Sequence, residues 1–353
     1  MKRTLLVILV VLGIGFLPLV ACAQVEVAPK EPPYTVGLSN GPFTHSWRVQ
    51  MIESIQQEFE YYKEQGLVDR LIIQNAGPDV ATQIAQIRLL IASGVDILLV
   101  NPNSATALNP VMEEAQEAGI LVIVYDMNIN NPDVLEVCMD QREWMGPITE
   151  WLCEKLNYKG DIVYISGIPD QPADIDRTNA AMEVLAKHPD INLLAQAPGY
   201  WDQAAAQQAM SDILASFPEI DGVLTQDGMS LGIIRAFQAA GRPLPFITGE
   251  TQVAFIKEWK KLKDEVGFES FGIANPPGGT ICPALGIGIR LLQGRELKPE
   301  VVSENKVVYI KPTLFVTNEN LDEVYEEYKT WADAYYVNGW YSQEELDALF
   351  VED

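Results

Sequence analysis

Histidine and cysteine are scarce in this 353-residue chain, which has two of the former and four of the latter. No CxxC pair or Cys/His cluster is present, so no metal is expected. No P-loop or dinucleotide fingerprint occurs either, and no cofactor is expected. Basic residues are outnumbered, 24 against 49 acidic, for a formal net charge of −25. That imbalance repels nucleic acid and anionic lipid, which disfavours DNA-binding regulators and peripheral membrane binders. Beyond the N-terminus no apolar run approaches the length that spans a bilayer. Two chemical motifs are also incomplete. Gly228-Met229-Ser230-Leu231-Gly232 fits the G-x-S-x-G of serine hydrolases, but both His45 and His188 precede Ser230, whereas such enzymes place the histidine after the nucleophile. Asp126-Met127-Asn128-Ile129-Asn130 begins like a calcium loop and then has Asn131 where the turn glycine belongs and Val137 where the bidentate glutamate belongs.

What is present starts at residue 1. Lys2 and Arg3 precede an uncharged run from Leu5 to Ala21, slightly short for a spanning helix, that ends in Leu19-Val20-Ala21-Cys22. The arrangement resembles a bacterial lipoprotein signal peptide (1–21), cleaved so that Cys22 is left to carry lipid. Two or three acyl chains hold a protein at a membrane far more firmly than one. Residues 22–33, with Pro29, Pro32 and Pro33, then read as a tether. Of the other cysteines, Cys138 and Cys153 could pair, but both sit in apolar surroundings, and buried free thiols are expected for them and for Cys282.

From residue 34 onward, short continuously apolar runs alternate with helical stretches, which is the mark of parallel sheet covered on both faces. Expected strands are 34–38, 71–74, 97–100, 121–125, 161–166, 192–197, 222–225, 246–249 and 271–274. Gly66, Gly94, Gly119 and Gly241 follow helical segments as stop signals. A weak repeat relates 83–98 to 207–223, each a helix, a turn with Asp and a buried strand. With the length, it predicts two doubly wound α/β lobes, Rossmann-like, with a ligand site beyond the carboxyl ends of the strands. The residues in those positions are almost all hydrogen-bonding: Asn40, Asn75, Asn101, Asp126 with Asn128, Gln226-Asp227, Glu250 and Asn275. Phe43, Trp47 and Trp201 lie near strand ends, so a polyhydroxylated ring could be held between aromatic faces while carboxylates and amides take its hydroxyl protons.

On these residues the chain resembles a type I periplasmic binding protein of the ribose/galactose class, over about residues 34 to 316. Asn40-Gly41-Pro42-Phe43 is similar to the family's N-x-P-F turn, and Ser46-Trp47-Arg48 to a variant in the galactofuranose-binding branch. Gly94 to Pro102 and Gly119 to Asp126 match two of its strands, the second ending in a ligand-binding aspartate. In the second half Asp176-Arg177, Tyr200-Trp201-Asp202 and Gln226 to Gly232 fall where the family places an arginine, a stacking aromatic and a Q-N-D segment. An offset of one leaves open whether Gln226 or Asp227 meets the ligand. Glu250 replaces the usual aspartate and Asn275 a frequent glutamine. Met127 stands where an arginine usually follows Asp126, and Arg48 could supply the missing cation.

The resemblance implies two lobes joined by a three-strand hinge, with crossings near residues 140, 275 and 307. The N-terminal lobe would comprise 34–139 and 276–306, the C-terminal lobe 140–275 and 307–316, and residues 317–353 a helical extension. In that extension Leu321, Val324, Tyr325, Tyr328, Trp331 and Tyr335 form an apolar stripe expected to pack on the body. The implied function is capture of a monosaccharide or related polyol outside the cytoplasm and its delivery to an ABC permease in the cytoplasmic membrane. The protein would be a monomer that performs no chemistry, touching the membrane only through its lipid. A chemotaxis or quorum-sensing receptor of the same fold is the alternative, and a Ser230 hydrolase a weaker one. Acyl transfer needs one thiol, so we predict that Cys22→Ser leaves an unprocessed precursor or removes the protein from the detergent-soluble membrane fraction. Unchanged mass and fractionation would rule the lipoprotein reading out.

Overall fold

The computed structural model describes residues 27–41, 46–129 and 131–352. The leader and Cys22 lie outside them, as do Phe43 and His45. The described residues form two six-stranded sheets. The first begins with β1 (Tyr34–Asn40), α1 (Ser46–Glu64), β2 (Val68–Asn75), α2 (Val80–Ala92), β3 (Ile97–Val100), α3 (Asn109–Glu117), β4 (Leu121–Tyr125) and β5 (Leu135–Met139). The second follows with α4 (Gln141–Lys155), β6 (Gly160–Ser166), α5 (Pro172–Leu185), β7 (Ile191–Pro198), α6 (Gln203–Ser216), β8 (Gly222–Thr225), α7 (Ser230–Ala239), β9 (Phe246–Glu250), α8 (Val253–Val266) and β10 (Ser270–Ile273). The chain then returns to the first sheet with α9 (Ile281–Leu292) and β11 (Val307–Ile310), and to the second with β12 (Phe315–Val316). Helices α10 (Leu321–Tyr328) and α11 (Gln343–Asp347) complete it.

The strand orders are β11-β5-β4-β3-β1-β2 and β12-β10-β9-β8-β6-β7, so the two sheets are wound alike. Pairing is parallel throughout except for β12, which runs antiparallel to β10. The units of the weak sequence repeat, α2–β3 and α6–β8, occupy the same place in each order. Central strands such as β3 and β8 are buried along their whole length, because helices cover both faces: α1 and α9 against α2 and α3 in one lobe, and α7 and α8 against α4 and α5 in the other. Asp79, Asp140 and Asp202 cap α2, α4 and α6 by accepting backbone N–H bonds. Gly66, Gly94, Gly119 and Gly241 all have the positive φ of a helix stop.

Several expectations need correction. β5 was not among the expected strands, and neither was β11, which pairs with β5 in the first sheet. The third crossing therefore falls between Ile310 and Phe315 rather than near residue 307, and 307–310 belong to the first lobe. Residues 27–33, expected to be part of a tether, lie against that lobe: Lys30 N donates to Leu292 O at 2.8 Å, Lys30 Nζ reaches Asp96 at 3.0 Å and Val27 packs on the core. The C-terminal stripe is only partly helical. Leu321, Val324 and Tyr328 enter the second core from α10, while Trp331 and Tyr335 follow the helix end. Cys138, Cys153 and Cys282 are buried and free, and burial raises each thiol's pKa.

The chain's end is built into the first lobe. Leu346 and Phe350 are buried in its core, and Arg290 binds Asp347 (2.8 Å), Gln343 (3.0 Å) and Tyr62 (3.2 Å). Emptying such a site costs about 3–5 kcal/mol for a phenylalanine. We predict that Phe350→Ala produces a marked fall in the urea midpoint, and an unchanged midpoint would show that the last residues are not part of this core.

Candidate interlobe site

The strand-end residues come together at the carboxyl edges of the two sheets. On the first lobe Asp126 directly follows β4 with φ 69°, a left-handed conformation that aspartate tolerates. Its Oδ2 takes a 3.1 Å ion pair from Arg48 and a 3.3 Å bond from Asn101 Nδ2. Arg48, near the start of α1, is 6% exposed and its guanidinium lies 4.9 Å from the Trp47 ring centroid. Trp47 Nε1 in turn donates to the backbone oxygen of Asn275, in the second crossing, at 3.0 Å.

From Asn275 the contacts continue into the second lobe. Asn275 Nδ2 donates to Asp227 Oδ2 at 3.1 Å, and Arg177 Nη1 pairs with the same oxygen at 2.5 Å. Arg177, on α5, is 1% exposed. Its guanidinium stacks 4.0 Å from the Trp144 ring, and Nε donates to Gln141 at 2.6 Å, at the first crossing. An unbroken path of polar and ring contacts thus runs from Asp126 to Gln141 through both lobes. Each lobe holds a buried arginine against a carboxylate that keeps some exposure, 23% for Asp126 and 19% for Asp227.

Glu250, the last residue of β9, accepts from Gly228 N at 2.8 Å. Gly228 can offer that N–H because its φ is +67°, which lets the turn after β8 fold back. Four buried acceptor atoms in this region have no partner among the described residues: Asn40 Oδ1, Asn101 Oδ1, Asp227 Oδ1 and Glu250 Oε1. Buried acceptors are seldom left unmade, so a ligand with several hydroxyls matches them.

Of the residues expected in a site, Trp47, Arg48, Asp126, Arg177, Asp227 and Asn275 lie on the connected path, and Glu250 lies beside it. Asn40 is buried and bonded to Asn75 at 3.2 Å. Asn128 is not brought in; it is exposed, two residues past the left-handed turn at Asp126. Gln226 is wholly buried and spent on the scaffold, accepting from Trp201 Nε1 (2.8 Å) and donating to Asp174 (2.7 Å) and Tyr164. That geometry separates it from Asp227, which faces the arginine. Trp201 packs so closely over Gly167 that a β-carbon there would collide with the indole. Gln141, Trp144 and Asn101 join the site without being expected as ligand contacts; of these only Asn101, a strand-end amide, carries a signal in the sequence. Ser230 is 3% exposed and donates to Thr248 O at 3.1 Å, while His188 pairs with Glu150 instead. Among the described residues no helix is long and apolar enough to cross a membrane and no acidic, His or Cys cluster suits a metal. A separate depression, lined by Val27, Gln116, Asp133 and Lys306 among others, lies at the opposite ends of β4 and β5.

Burial, and then the neighbouring Asp227, hold the Glu250 carboxyl well above its ordinary range, against the Gly228 N–H and Arg177, which pull it down. A raised folded value means that the folded chain keeps a proton the unfolded chain has lost. Stability from this group is therefore greatest at low pH and falls as pH rises from about 4.5 toward the folded value. We predict that Glu250→Gln gains thermal midpoint relative to wild type as pH is raised from about 4.5 to 8. A difference that does not vary with pH would show that Glu250 is ionised in the folded protein.

Residues 36–266 match the family described as periplasmic binding protein domain. The xylitol-binding protein of Mycolicibacterium smegmatis is 30% identical over 265 residues, which cover 74% of this chain and 72% of that one. The ribose import binding protein of Salmonella typhimurium is 26% identical over 181 residues, covering 51% of this chain and 61% of its own length. Among solved structures, an ABC transporter solute binding protein from Thermobispora bispora matches with TM-score 0.72 and 26% identity, over 90% of this chain and 94% of that one. A galactofuranose binding protein matches in fold with TM-score 0.67 and 23% identity, over 86% and 100% of the two chains. With two like-wound parallel sheets and a family match over most of its length, the chain belongs to the periplasmic binding protein family.

Proposed function

We propose that the protein captures a monosaccharide or related polyol between its lobes and presents it to an ABC permease. The observation that carries this reading is the contact path from Asp126 through Arg48, Trp47, Asn275 and Asp227 to Arg177, flanked by buried acceptors that lack partners. Carboxylates take hydroxyl protons, the two guanidiniums donate to hydroxyl oxygens, and Trp47 offers an apolar ring edge. Asp126, Arg48, Arg177, Asp227, Glu250 and Asn275 are the polar ligand contacts on this reading. Trp201 and, from the sequence pattern, Phe43 are the aromatic contacts on this reading, and Asn40 a further acceptor. Xylitol and ribose, named for two relatives, are acyclic and cyclic members of one chemical class, and we infer that the ligand of this chain is drawn from it. The protein acts as a lipid-anchored monomer outside the cytoplasm, carried by Cys22, and catalyses nothing. Burial of Ser230 and the engagement of His188 elsewhere support that last point.

A hydrogen bond to a charged group contributes about 1.5–3 kcal/mol, and loss of Asp126 also strips the buried Arg48 of its partner. Asp126→Ala should therefore weaken binding at least about tenfold in titration calorimetry against the best ligand of a pentose, pentitol, hexose and cyclitol panel. Ser230→Ala should stay within twofold. Binding that survives Asp126→Ala and disappears with Ser230→Ala would overturn the site.

A further inference from the structure

The C-terminal extension crosses between the lobes a fourth time, and it does so beside the interlobe site. Its α10 packs on α8 of the second lobe, where Lys263 and Lys260 both reach Asp322, at 3.1 and 3.4 Å. Residues 335–337 then run along the loop that follows Glu250: Val253 N donates to Tyr335 O at 2.8 Å and Val337 N to Thr251 O at 2.9 Å. The same segment is tied to α1 of the first lobe. Gln50 clasps the Tyr336 backbone from both sides, Nε2 to its oxygen (2.8 Å) and Oε1 from its nitrogen (2.9 Å), and Tyr335 OH donates to Glu53 at 3.0 Å. Trp340 and Gln343 next donate to Glu58 at 2.8 and 3.1 Å, and the chain ends in the first core.

At the centre of this strap the Tyr336 side chain points back toward the site. Its hydroxyl lies 3.7 Å from the point that a β-carbon on Gly228 would occupy, next to the N–H that Glu250 holds. Burial, and then the neighbouring Glu250 and Asp227, push the phenol's pKa up, so it remains a donor. The hydroxyl makes no hydrogen bond to a described residue, and close by stand Asp227 Oδ1 and Glu250 Oε1, both buried and without partners. A phenol O–H beside the turn that carries the buried, unpartnered carboxylate oxygen of Asp227 is a constellation that a hydroxyl of a polyol can complete, since it accepts from the phenol and donates to the carboxylate.

We propose that Tyr336 is a ligand-binding residue, and that the strap carrying it forms one wall of the interlobe site. This rests on the polyol reading of the site given above. It goes beyond it by assigning a contact to a segment outside the matched family region. Ligand selection then depends partly on the extension: a polyol with a hydroxyl directed at the strap is favoured over its deoxy counterpart.

The test is titration calorimetry of full-length mature protein with three substitutions, against the pentose, pentitol, hexose and cyclitol panel. Tyr336→Phe removes one oxygen and should weaken the best ligand about five- to tenfold, the loss of one neutral hydrogen bond, with an unchanged thermal midpoint in the ligand-free protein. Tyr335→Phe alters the same strap but faces Glu53, and should bind within twofold of wild type. Asp126→Ala should lose binding on the first lobe independently. Wild-type affinity in Tyr336→Phe together with loss in Asp126→Ala overturns the role of the strap and leaves the site standing. Equal weakening by Tyr335→Phe and Tyr336→Phe would mean that the strap acts only as scaffold, which also overturns the proposal. Failure of the wild-type protein to bind any member of the panel overturns the polyol reading and this inference with it.

Discussion

A guanidinium that is 1% exposed must be fully paired, and Arg177 organises the second lobe around that requirement. Asp227 in the turn after β8, and Gln141 and the face of Trp144, both on α4 at the first crossing, meet its needs from two separate elements. Asn275, in the second crossing, shares the same carboxylate. Removing one partner of such a buried pair costs about 3–5 kcal/mol, so the relative positions of α4, α5, the β8 turn and two crossings are set by one side chain. Arg48 does the same for the first lobe with Asp126 and Trp47. The proposed ligand site is where the two sets meet, because each arginine leaves its carboxylate partly open to solvent.

Parallel sheets place those groups without special effort. Every strand in each main run points its carboxyl end the same way, so Asn40, Asn101 and Asp126 share one edge and Asp227, Glu250 and Asn275 another. Polar side chains are tolerated there because the ladder has ended and the helices have not yet covered the chain. The like winding of the two sheets follows from the repeated α2–β3 and α6–β8 units. A short antiparallel addition, β12 on β10, is where the chain stops obeying that plan and begins the strap.

Much of this was legible in the residues. Continuously apolar runs such as Ile97–Val100 and Gly222–Thr225 mark central strands, and the stop glycines mark helix ends with the backbone that only they adopt cheaply. β5 was harder to see because Glu136 interrupts it. That carboxyl is buried, bonded to Ile129 N at 3.3 Å and pushed up to about 7, an arrangement no local pattern announces. β11 is four residues long and is a strand only because β5 lies beside it. Gln226 and Asp227 are neighbours of similar polarity, and only the third dimension tells which is consumed by Tyr164, Asp174 and Trp201. Asn128 looked like a partner of Asp126 by spacing, but the left-handed turn at Asp126 sends it outward. Tyr336 carries no motif at all. Its place depends on Gln50, far away in the chain, and on the loop after Glu250.

The strap also constrains how the lobes can move. Three crossings alone would leave a hinge free to open about short loops. A fourth connection that is hydrogen-bonded to Gln50 and Glu53 on one side and to Thr251 and Val253 on the other adds contacts that wide opening would have to break. Those bonds sit next to the unpartnered oxygens of Asp227 and Glu250, so the cost of opening and the stabilisation by ligand fall on the same few residues. On the proposed reading, a ligand that satisfies those oxygens stabilises the strapped arrangement of the lobes directly, without a relay through the lobe cores, because Glu250, which would meet the ligand, is followed at once by Thr251 and Val253, which hold the strap.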